Sequence, residues 1–151
     1  MNPEADCIVQ VVDLRAAPAV VWRALTDHEA FGTWFRVALE GPFRLGGVTR
    51  GRTTYPGYEG LRWRALVTRM EPLTVFAFRW PLEDDDPEQP LERLLLTTLT
   101  FTLEARGEGT RLTLTECGFA ALPEPQRSEF RARNAEGWAI QAQHITTFVD
   151  G

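Results

Sequence analysis

The amino-acid sequence predicts one α+β domain in which a curved antiparallel β-sheet of about six to seven strands surrounds a long C-terminal α-helix. Two observations predict this architecture. Short runs of alternating apolar and polar residues fill the middle of the chain, and residues 123–149 carry proline only in the first turn and repeat their apolar residues at helical spacing. The 151 residues have the length of a single domain, so we assign residues 1–151 to one unit.

One strand and two short helices are predicted at the start of the chain. Residues 7–15 are rich in β-branched side chains and predict the first strand. Pro18 suits the first turn of a helix that we expect to end at about Thr26. Thr26 and Glu29 have the spacing of a capping box, so we expect Thr26 to cap the second helix.

Turn residues divide the middle of the chain into strands. We expect residues 43–45 and 48–54 to form a hairpin that turns on Gly46 and Gly47. Residues 61–68 alternate apolar and polar side chains and predict a further strand, which an aromatic-rich strand follows. The last two strands have threonine-rich outer faces, which predicts that their leucine-rich faces are covered.

The C-terminal helix supplies this cover, but the stripe it presents to the sheet is unusual. Two amides and a glycine do not fill a core, so they face either an unfilled space or buried polar groups on the sheet. The members of the stripe are Phe130, Asn134, Gly137, Trp138, Gln141, Ile145 and Phe148.

A hollow between helix and sheet follows from this stripe, and we expect it to hold a small, mostly apolar molecule. For each aromatic residue the alternative is plain packing in the core, and for Tyr58 it is an ordinary turn position instead of a gate at the pocket mouth. The predicted lining residues are Trp34, Tyr58, Trp63, Phe78, Trp80, Phe101, Glu116, Asn134, Trp138 and Gln141.

Glu116 is the most informative polar residue in this set. Counting along the strand from Leu112 and Leu114 places its side chain on the inner face. A buried carboxylate is costly unless it is paired, so an inward Glu116 is a candidate ligand anchor or acid–base group. The alternative is a position at the strand end, where it reaches solvent or pairs with an arginine.

Composition and motif content exclude several classes of function. The net charge is −5 and all 16 basic residues are arginines, which disfavours nucleic-acid binding. The cysteines and histidines lack metal-ligand spacing, and no nucleophile or phosphate-loop motif occurs. We therefore predict no catalytic residue, no metal and no cofactor. Residues 83–90 predict a solvated acidic loop.

Location and surface follow from the same composition. No apolar run approaches the roughly 20 residues of a membrane span, and the first residues show no signal-peptide pattern, so we expect a cytoplasmic protein. Arg62, Arg64 and Arg79 alternate with core residues. We expect them on the outer face of the sheet, either solvated or bound to an acidic partner.

Four segments of the chain resemble those of a known family. They are Ala17-Pro18-Ala19-Val20-Val21-Trp22-Arg23-Ala24-Leu25-Thr26-Asp27 with Trp34-Phe35, then Phe43-Arg44-Leu45-Gly46-Gly47, then Met70-Glu71-Pro72-Leu73 with Phe78-Arg79-Trp80, and finally Gly109-Thr110-Arg111-Leu112-Thr113-Leu114-Thr115-Glu116-Cys117-Gly118-Phe119 with Gly137-Trp138. In these segments the sequence resembles the START-like, or SRPBCC, superfamily. Within it, the chain is similar to bacterial homologues of the activator of heat-shock protein 90 ATPase.

The resemblance implies the helix-grip fold, in which the first and last strands are neighbours. Cys7 and Cys117 then lie close together, and we expect two reduced thiols in a reducing cytoplasm. The superfamily includes ligand carriers, cyclases and co-chaperone modules. We expect a non-catalytic binding module for a lipid-, polyketide- or aromatic-like molecule. The alternatives are a polyketide cyclase-type enzyme that uses Glu116, and a co-chaperone-like module that contacts a chaperone or another protein partner. The oligomeric state stays open.

Overall fold

One strand, two short helices, six further strands and a long helix follow one another along the chain. The structure, a computed structural model, describes residues 6–82 and 88–151. The predicted α+β class and the long C-terminal helix are confirmed over these residues. The elements are β1 (Cys7–Leu14), α1 (Pro18–Thr26), α2 (His28–Phe35), β2 (Val37–Leu39), β3 (Val48–Thr53), β4 (Arg62–Glu71), β5 (Val75–Pro81), β6 (Leu96–Arg106), β7 (Gly109–Cys117) and α3 (Gln126–Asp150).

The strands of the described chain form one antiparallel sheet in the order β1-β7-β6-β5-β4-β3-β2. Helices α1 and α2 connect the two edge strands β1 and β2, so the chain crosses from one edge of the sheet to the other before it returns strand by strand. Helix α3 contacts β1, α1 and α2. The predicted pairing of the first and last strands is confirmed by the β1–β7 ladder.

The β6–β7 hairpin has the two faces that its alternation predicts. Leu99, Phe101 and Leu103 are buried, and the threonines between them are half-buried. The same alternation continues on β7, where Leu112 and Leu114 are buried. These faces carry the packing of the domain because the helices cover only one side of the sheet.

Strand β3 pairs with β2 and β4, which corrects the predicted hairpin of residues 43–45 with 48–54. Gly46 does lie in a turn with φ of 80°, but its N–H donates to the carbonyl oxygen of Val67 on β4. A Cβ at Gly51 would overlap the carbonyl oxygen of Ala38, so a side chain there would separate β3 from β2. The glycine pair marked a turn correctly but did not identify the partner strand.

Asp27, not the predicted Thr26, caps helix α2. Its carboxylate accepts the N–H groups of Glu29 at 2.9 Å and Ala30 at 3.2 Å, and the N–H of Ala30 is the main cause that lowers the pKa of Asp27. Thr26 ends α1 instead, where its hydroxyl donates to the carbonyl oxygen of Trp22 at 2.8 Å. An aspartate satisfies two free N–H groups of the first turn from this position.

Helix α3 begins at Gln126, three residues after the predicted start. Fewer residues of its predicted inward-facing stripe are buried than expected. Trp138 and Ile145 are buried, whereas Gly137 and Phe148 are exposed and do not face the interior. Within the described ranges, the helices are too short or too polar to cross a membrane.

Asp150 ties the end of α3 to the turn between β1 and α1. Its carboxylate accepts the backbone N–H of Arg15 at 2.8 Å and that of Ala16 at 2.9 Å. The Arg15 guanidinium also donates to the carbonyl oxygen of Asp150 at 2.8 Å. The last turn of the helix is therefore held against the start of the sheet.

We expect Asp150→Ala to lower the free energy of unfolding by about 2 kcal/mol, because two backbone N–H groups lose a charged acceptor. Asp150→Asn retains one acceptor oxygen and should lose about half as much. Urea denaturation measures both changes. Glu136→Ala, at an exposed position on α3, is the control and should change stability by less than about 0.5 kcal/mol. Equal effects at positions 150 and 136 would contradict the anchoring role.

Candidate functional site

A fully buried carboxylate lies at the centre of the space between sheet and helix. Glu116 is on β7, two residues beyond Leu114, and its side chain has no exposed surface. The inward position predicted from strand alternation is therefore confirmed. The alternative position in solvent at the strand end is excluded.

Four side chains donate hydrogen bonds to the two oxygens of Glu116. The indole N–H of Trp138 donates to Oε1 at 2.8 Å, and that of Trp80 donates to Oε2 at 2.9 Å. The Thr97 hydroxyl donates to Oε2 at 2.5 Å, and the Asn134 amide lies 3.2 Å from both oxygens. Every partner is a donor, which is the environment that complements an ionised carboxylate.

Glu116 obtains this environment without a cationic partner. Over residues 6–82 and 88–151, no arginine forms an ion pair with it. A buried charge is tolerated when hydrogen bonds replace its hydration. The predicted alternative of an arginine pair is wrong, and neutral donors take its place.

The donors come from three elements that are distant in sequence. Trp80 on β5 lies opposite Thr97 on β6, and β6 is also the neighbour of β7, which carries Glu116. Asn134 and Trp138 are one turn apart on α3, so both reach the same point on the sheet. Thr97 was not predicted as a site residue, although alternation back from the buried Leu99 would have placed it on the inner face.

The amides in the helix stripe have different partners. Asn134 meets the Glu116 carboxylate, as the prediction of buried polar groups on the sheet required. Gln141 instead donates its amide N–H to the carbonyl oxygen of Phe35 at 3.0 Å, at the end of α2. Its amide oxygen lies 3.0 Å from Nδ1 of His144, a half-buried residue whose pKa is lowered mainly by burial.

Aromatic rings fill most of the predicted hollow. The Phe35 ring centroid lies 5.9 Å from that of Trp63, 6.0 Å from that of Trp80 and 5.9 Å from that of Trp138. The Trp80 and Trp138 rings stack at 5.8 Å. Their two N–H groups both point at Glu116, so the same contacts that satisfy the carboxylate also close the interior.

Among the described residues, a pocket of about 10 Å³ lies between the helix and the first and last strands, enough for one water molecule. Trp34, Phe101, Trp138 and Gln141 border it together with residues of β1 and β7. Trp34 donates its indole N–H to the carbonyl oxygen of Ala24 at 2.8 Å, which fixes the ring in the core. The fully buried Phe78 packs among neighbouring rings.

Tyr58 lies away from these residues, contrary to its predicted place at the pocket mouth. It is 59% exposed on a turn, where it contacts Tyr55. Tyr58 therefore occupies an ordinary position on an exposed turn, as the alternative prediction stated. The same turn contacts α3 through Tyr55, whose ring centroid lies 6.0 Å from that of His144.

A recess of about 250 Å³ opens beside the carboxylate, at the edge of the aromatic cluster. Two of its lining residues, Trp80 and Asn134, are also donors to Glu116. We call it the edge recess. It is lined by Arg62, Trp63, Arg64, Trp80, Pro81, Leu82 and Asn134.

Trp63 brings an unsatisfied donor to the edge recess. The residue is 8% exposed, and its indole nitrogen is buried without a hydrogen-bond partner in the described chain. An indole N–H only donates, and leaving such a group unpaired in the interior costs about 1–3 kcal/mol. Trp63 lines the edge recess, and an acceptor that reached its N–H would remove this cost.

Comparison with known proteins shows the family to which the chain belongs. The sequence matches the family model of the Activator of Hsp90 ATPase homolog 1-like proteins over residues 15–150. The chain belongs to this family. The predicted START-like relationship and the helix-grip fold are thereby confirmed. No curated protein matches the sequence at a significant level.

Solved structures share the fold of this family member at low identity. A protein from Arthrobacter aurescens has 20% identity and a TM-score of 0.79 over 99% of this chain and 89% of that chain. The Aha1 dimer from Colwellia psychrerythraea has 18% identity and a TM-score of 0.72 over 95% of each chain. DynU16, from the dynemicin biosynthetic locus, has 23% identity and a TM-score of 0.68 over 94% of this chain and 48% of that chain.

A disulfide joins the first and last strands of this family member. Cys7 and Cys117 lie opposite each other on β1 and β7 and are bonded, so the expectation of two reduced thiols is wrong. The Asp6 carboxylate lies within 4.8 Å of both sulfurs. Because the sulfurs are bonded to each other, they are not available as thiolate ligands for a metal. The predicted acidic loop lies largely outside the described residues, apart from its end at 88–90, where Glu88 and Pro90 are exposed.

We expect Glu116→Gln to lower the free energy of unfolding by about 1–3 kcal/mol, because the amide N–H₂ faces donors and leaves one without an acceptor. Glu116→Ala should cost about 3–5 kcal/mol, since it removes every acceptor and leaves a cavity. Urea unfolding followed by circular dichroism measures both.

Glu104→Gln is the matched control, because Glu104 is an exposed glutamate on the neighbouring strand β6. Its effect should stay below about 0.5 kcal/mol. If the variants at positions 116 and 104 were equally stable, the carboxylate would not be what joins sheet and helix.

Proposed function

We propose that this protein is a non-catalytic binding module for a small, flat, mostly apolar molecule that carries an acceptor oxygen. The observation that carries the proposal is the buried Trp63 N–H, which has no acceptor in the described chain and belongs to a residue that lines the edge recess. A ligand carbonyl or hydroxyl oxygen at this point would satisfy it. Membership of a superfamily that includes ligand carriers agrees with this role.

The walls of the edge recess suit a flat molecule. Trp63 and Trp80 provide aromatic surface, and Leu82 and Pro81 add aliphatic surface. Asn134 supplies a polar group on the side nearest Glu116. This combination of apolar walls with a few placed polar groups is typical of small-molecule sites, and the volume of about 250 Å³ is slightly below their usual range, which suits a small ligand.

The edge recess replaces the interior hollow as the proposed site. In the part of the chain that the structure describes, the pocket between α3, β1 and β7 has a volume of about 10 Å³, which is too small for an organic ligand. The predicted hollow is occupied by the rings of Phe35, Trp80 and Trp138. A ligand can therefore reach the aromatic cluster at its edge. The ligand class predicted from the sequence is unchanged, and its location moves outward.

We expect freshly purified protein, analysed by native mass spectrometry, to carry an extra mass that denaturation releases. For a defined probe, calorimetric titration with 1-naphthol should show binding that Trp63→Phe weakens about tenfold, because the variant keeps an aromatic ring but removes the donor. The same variant loses no internal hydrogen bond, since the Trp63 N–H has none.

Trp34→Phe is the matched control for this titration. It removes the hydrogen bond to Ala24, so it should lower the free energy of unfolding by about 1 kcal/mol or more and leave 1-naphthol binding unchanged. Unchanged binding by Trp63→Phe, or no binding by the wild-type protein, would overturn the proposed site.

Acid–base catalysis by Glu116 is the second candidate function. Its supporting observation is burial without an arginine partner, together with the shared fold of DynU16 from a biosynthetic locus. The two oxygens already accept contacts from four donors, so a substrate would first have to displace Asn134, the half-buried donor at the edge recess. Because of this requirement, we favour a binding role over a catalytic role for the protein.

A co-chaperone-like contact is the third candidate, and its support comes from the family and from the fold shared with an Aha1 dimer. Such a contact would use the surface instead of the edge recess. Protein that carries no extra mass and does not bind 1-naphthol would make capture of a chaperone partner the next experiment.

A further inference from the structure

Two pairs of arginines face each other across strands β3 and β4. The register places Arg50 opposite Arg64 and Arg52 opposite Arg62. Alternation puts these four side chains on the sheet face that points away from the inward-facing Trp63. Like charges directly opposite each other on neighbouring strands destabilise a sheet. The four residues, which we call the arginine quartet, therefore favour an anionic partner.

The arginine quartet lines a groove of about 890 Å³ on this outer face. Residues 88–92 line the same groove, and its acidic members are Glu40, Glu88 and Glu92. Among the lining residues that the structure describes, four guanidinium groups lie with three carboxylates. Arg64 is only 5% exposed, which corrects the prediction that it lies on an open, solvated surface. The groove is thus a concave surface lined by charged side chains.

One carboxylate already lies against the arginine quartet. Glu88 Oε1 is 3.8 Å from Arg62 Nη1, and the Glu88 side chain is 89% exposed. The Arg50 guanidinium forms no hydrogen bond or ion pair with the residues that the structure describes. Arg52 donates from one nitrogen to the carbonyl oxygen of Gly60 at 3.0 Å. Arg50 and Arg52 therefore retain donors that an external carboxylate can use.

We propose that the arginine quartet binds an extended acidic segment of a partner protein, with carboxylates on alternate residues. Alternate residues of an extended chain are about 7 Å apart. The quartet repeats at the same interval, because Arg50 and Arg52, like Arg62 and Arg64, are two residues apart on their strands. Guanidinium groups match carboxylates in planar, bidentate pairs.

A peptide carboxylate fits this groove better than a nucleic-acid backbone does. The groove contains three glutamates and the whole chain has a net charge of −5, which oppose a continuous row of phosphates. The exposed Val48 offers an apolar contact for a peptide side chain. Arg62 and Arg64 also line the edge recess, whereas Arg50 and Arg52 line only the groove, so variants at positions 50 and 52 test the groove separately.

The test is fluorescence anisotropy with a labelled peptide of alternating glutamate and threonine, titrated with the full-length protein at low salt. We expect saturable binding that weakens as sodium chloride is raised, since exposed charges are screened. The same peptide with glutamine in place of glutamate should not bind. Arg50→Gln combined with Arg52→Gln should weaken binding about tenfold or more.

Arg23→Gln combined with Arg106→Gln is the matched control, because it makes the same charge change on α1 and β6, away from the groove. It should leave the affinity within about twofold. Glu88→Gln should tighten binding about two- to threefold, since it removes a competing carboxylate from Arg62.

Three outcomes would overturn the proposal. One is a lack of binding at low salt, and another is equal weakening by the groove variant and its charge-matched control. The third is tighter binding of heparin or polyphosphate than of the peptide at matched charge, which would assign the groove to phosphate- or sulfate-rich polymers. Circular dichroism of each variant confirms that the exposed substitutions leave the fold intact.

Discussion

The contact between the Glu116 carboxylate and its four donors joins the sheet to the long helix. The cost of burying a charge is large when its hydration is not replaced, so Glu116 requires Trp80 and Thr97 from the sheet and Asn134 and Trp138 from the helix together. A helix shifted by one turn would remove Asn134 and Trp138 from the carboxylate, and the Trp138 indole N–H would lose its acceptor. This requirement sets the register of α3 on the sheet more strictly than apolar packing does, because α3 has only Trp138 and Ile145 fully in the core.

The same contact determines where a ligand can bind. Two indole rings aimed at one carboxylate must lie side by side, and with Phe35 they occupy the space that the fold would otherwise leave open. The proposed ligand site therefore lies at the edge of the cluster, where Trp63 lies next to Trp80 and has no acceptor within the described chain. Family membership does not determine the role, because one fold supports carriers, enzymes and interaction modules. The proposed binding role therefore depends on the Trp63 indole N–H.

The two faces of strand β4 support separate proposals. Its inner face presents Trp63 to the edge recess, and its outer face carries Arg62 and Arg64 within the arginine quartet. Alternation along one strand separates an aromatic surface from a charged one by a single residue. Arg62 and Arg64 line the edge recess as well as the groove, so a small apolar molecule and an acidic peptide would bind at adjoining parts of this strand.

Local patterns in the sequence determined the element types, the buried faces of β6 and β7, and the inward position of Glu116, because alternation and helical spacing are properties of neighbouring residues. They did not determine which donors meet Glu116, since Trp80, Thr97 and Asn134 come together only when β5, β6 and α3 pack. The pairing of β3 with β2, the burial of Arg64 and the Cys7–Cys117 bond likewise depend on which segments become neighbours. The unfilled hollow was inferred from the polar residues of one helix, and tertiary packing closed it because those residues had partners on other elements.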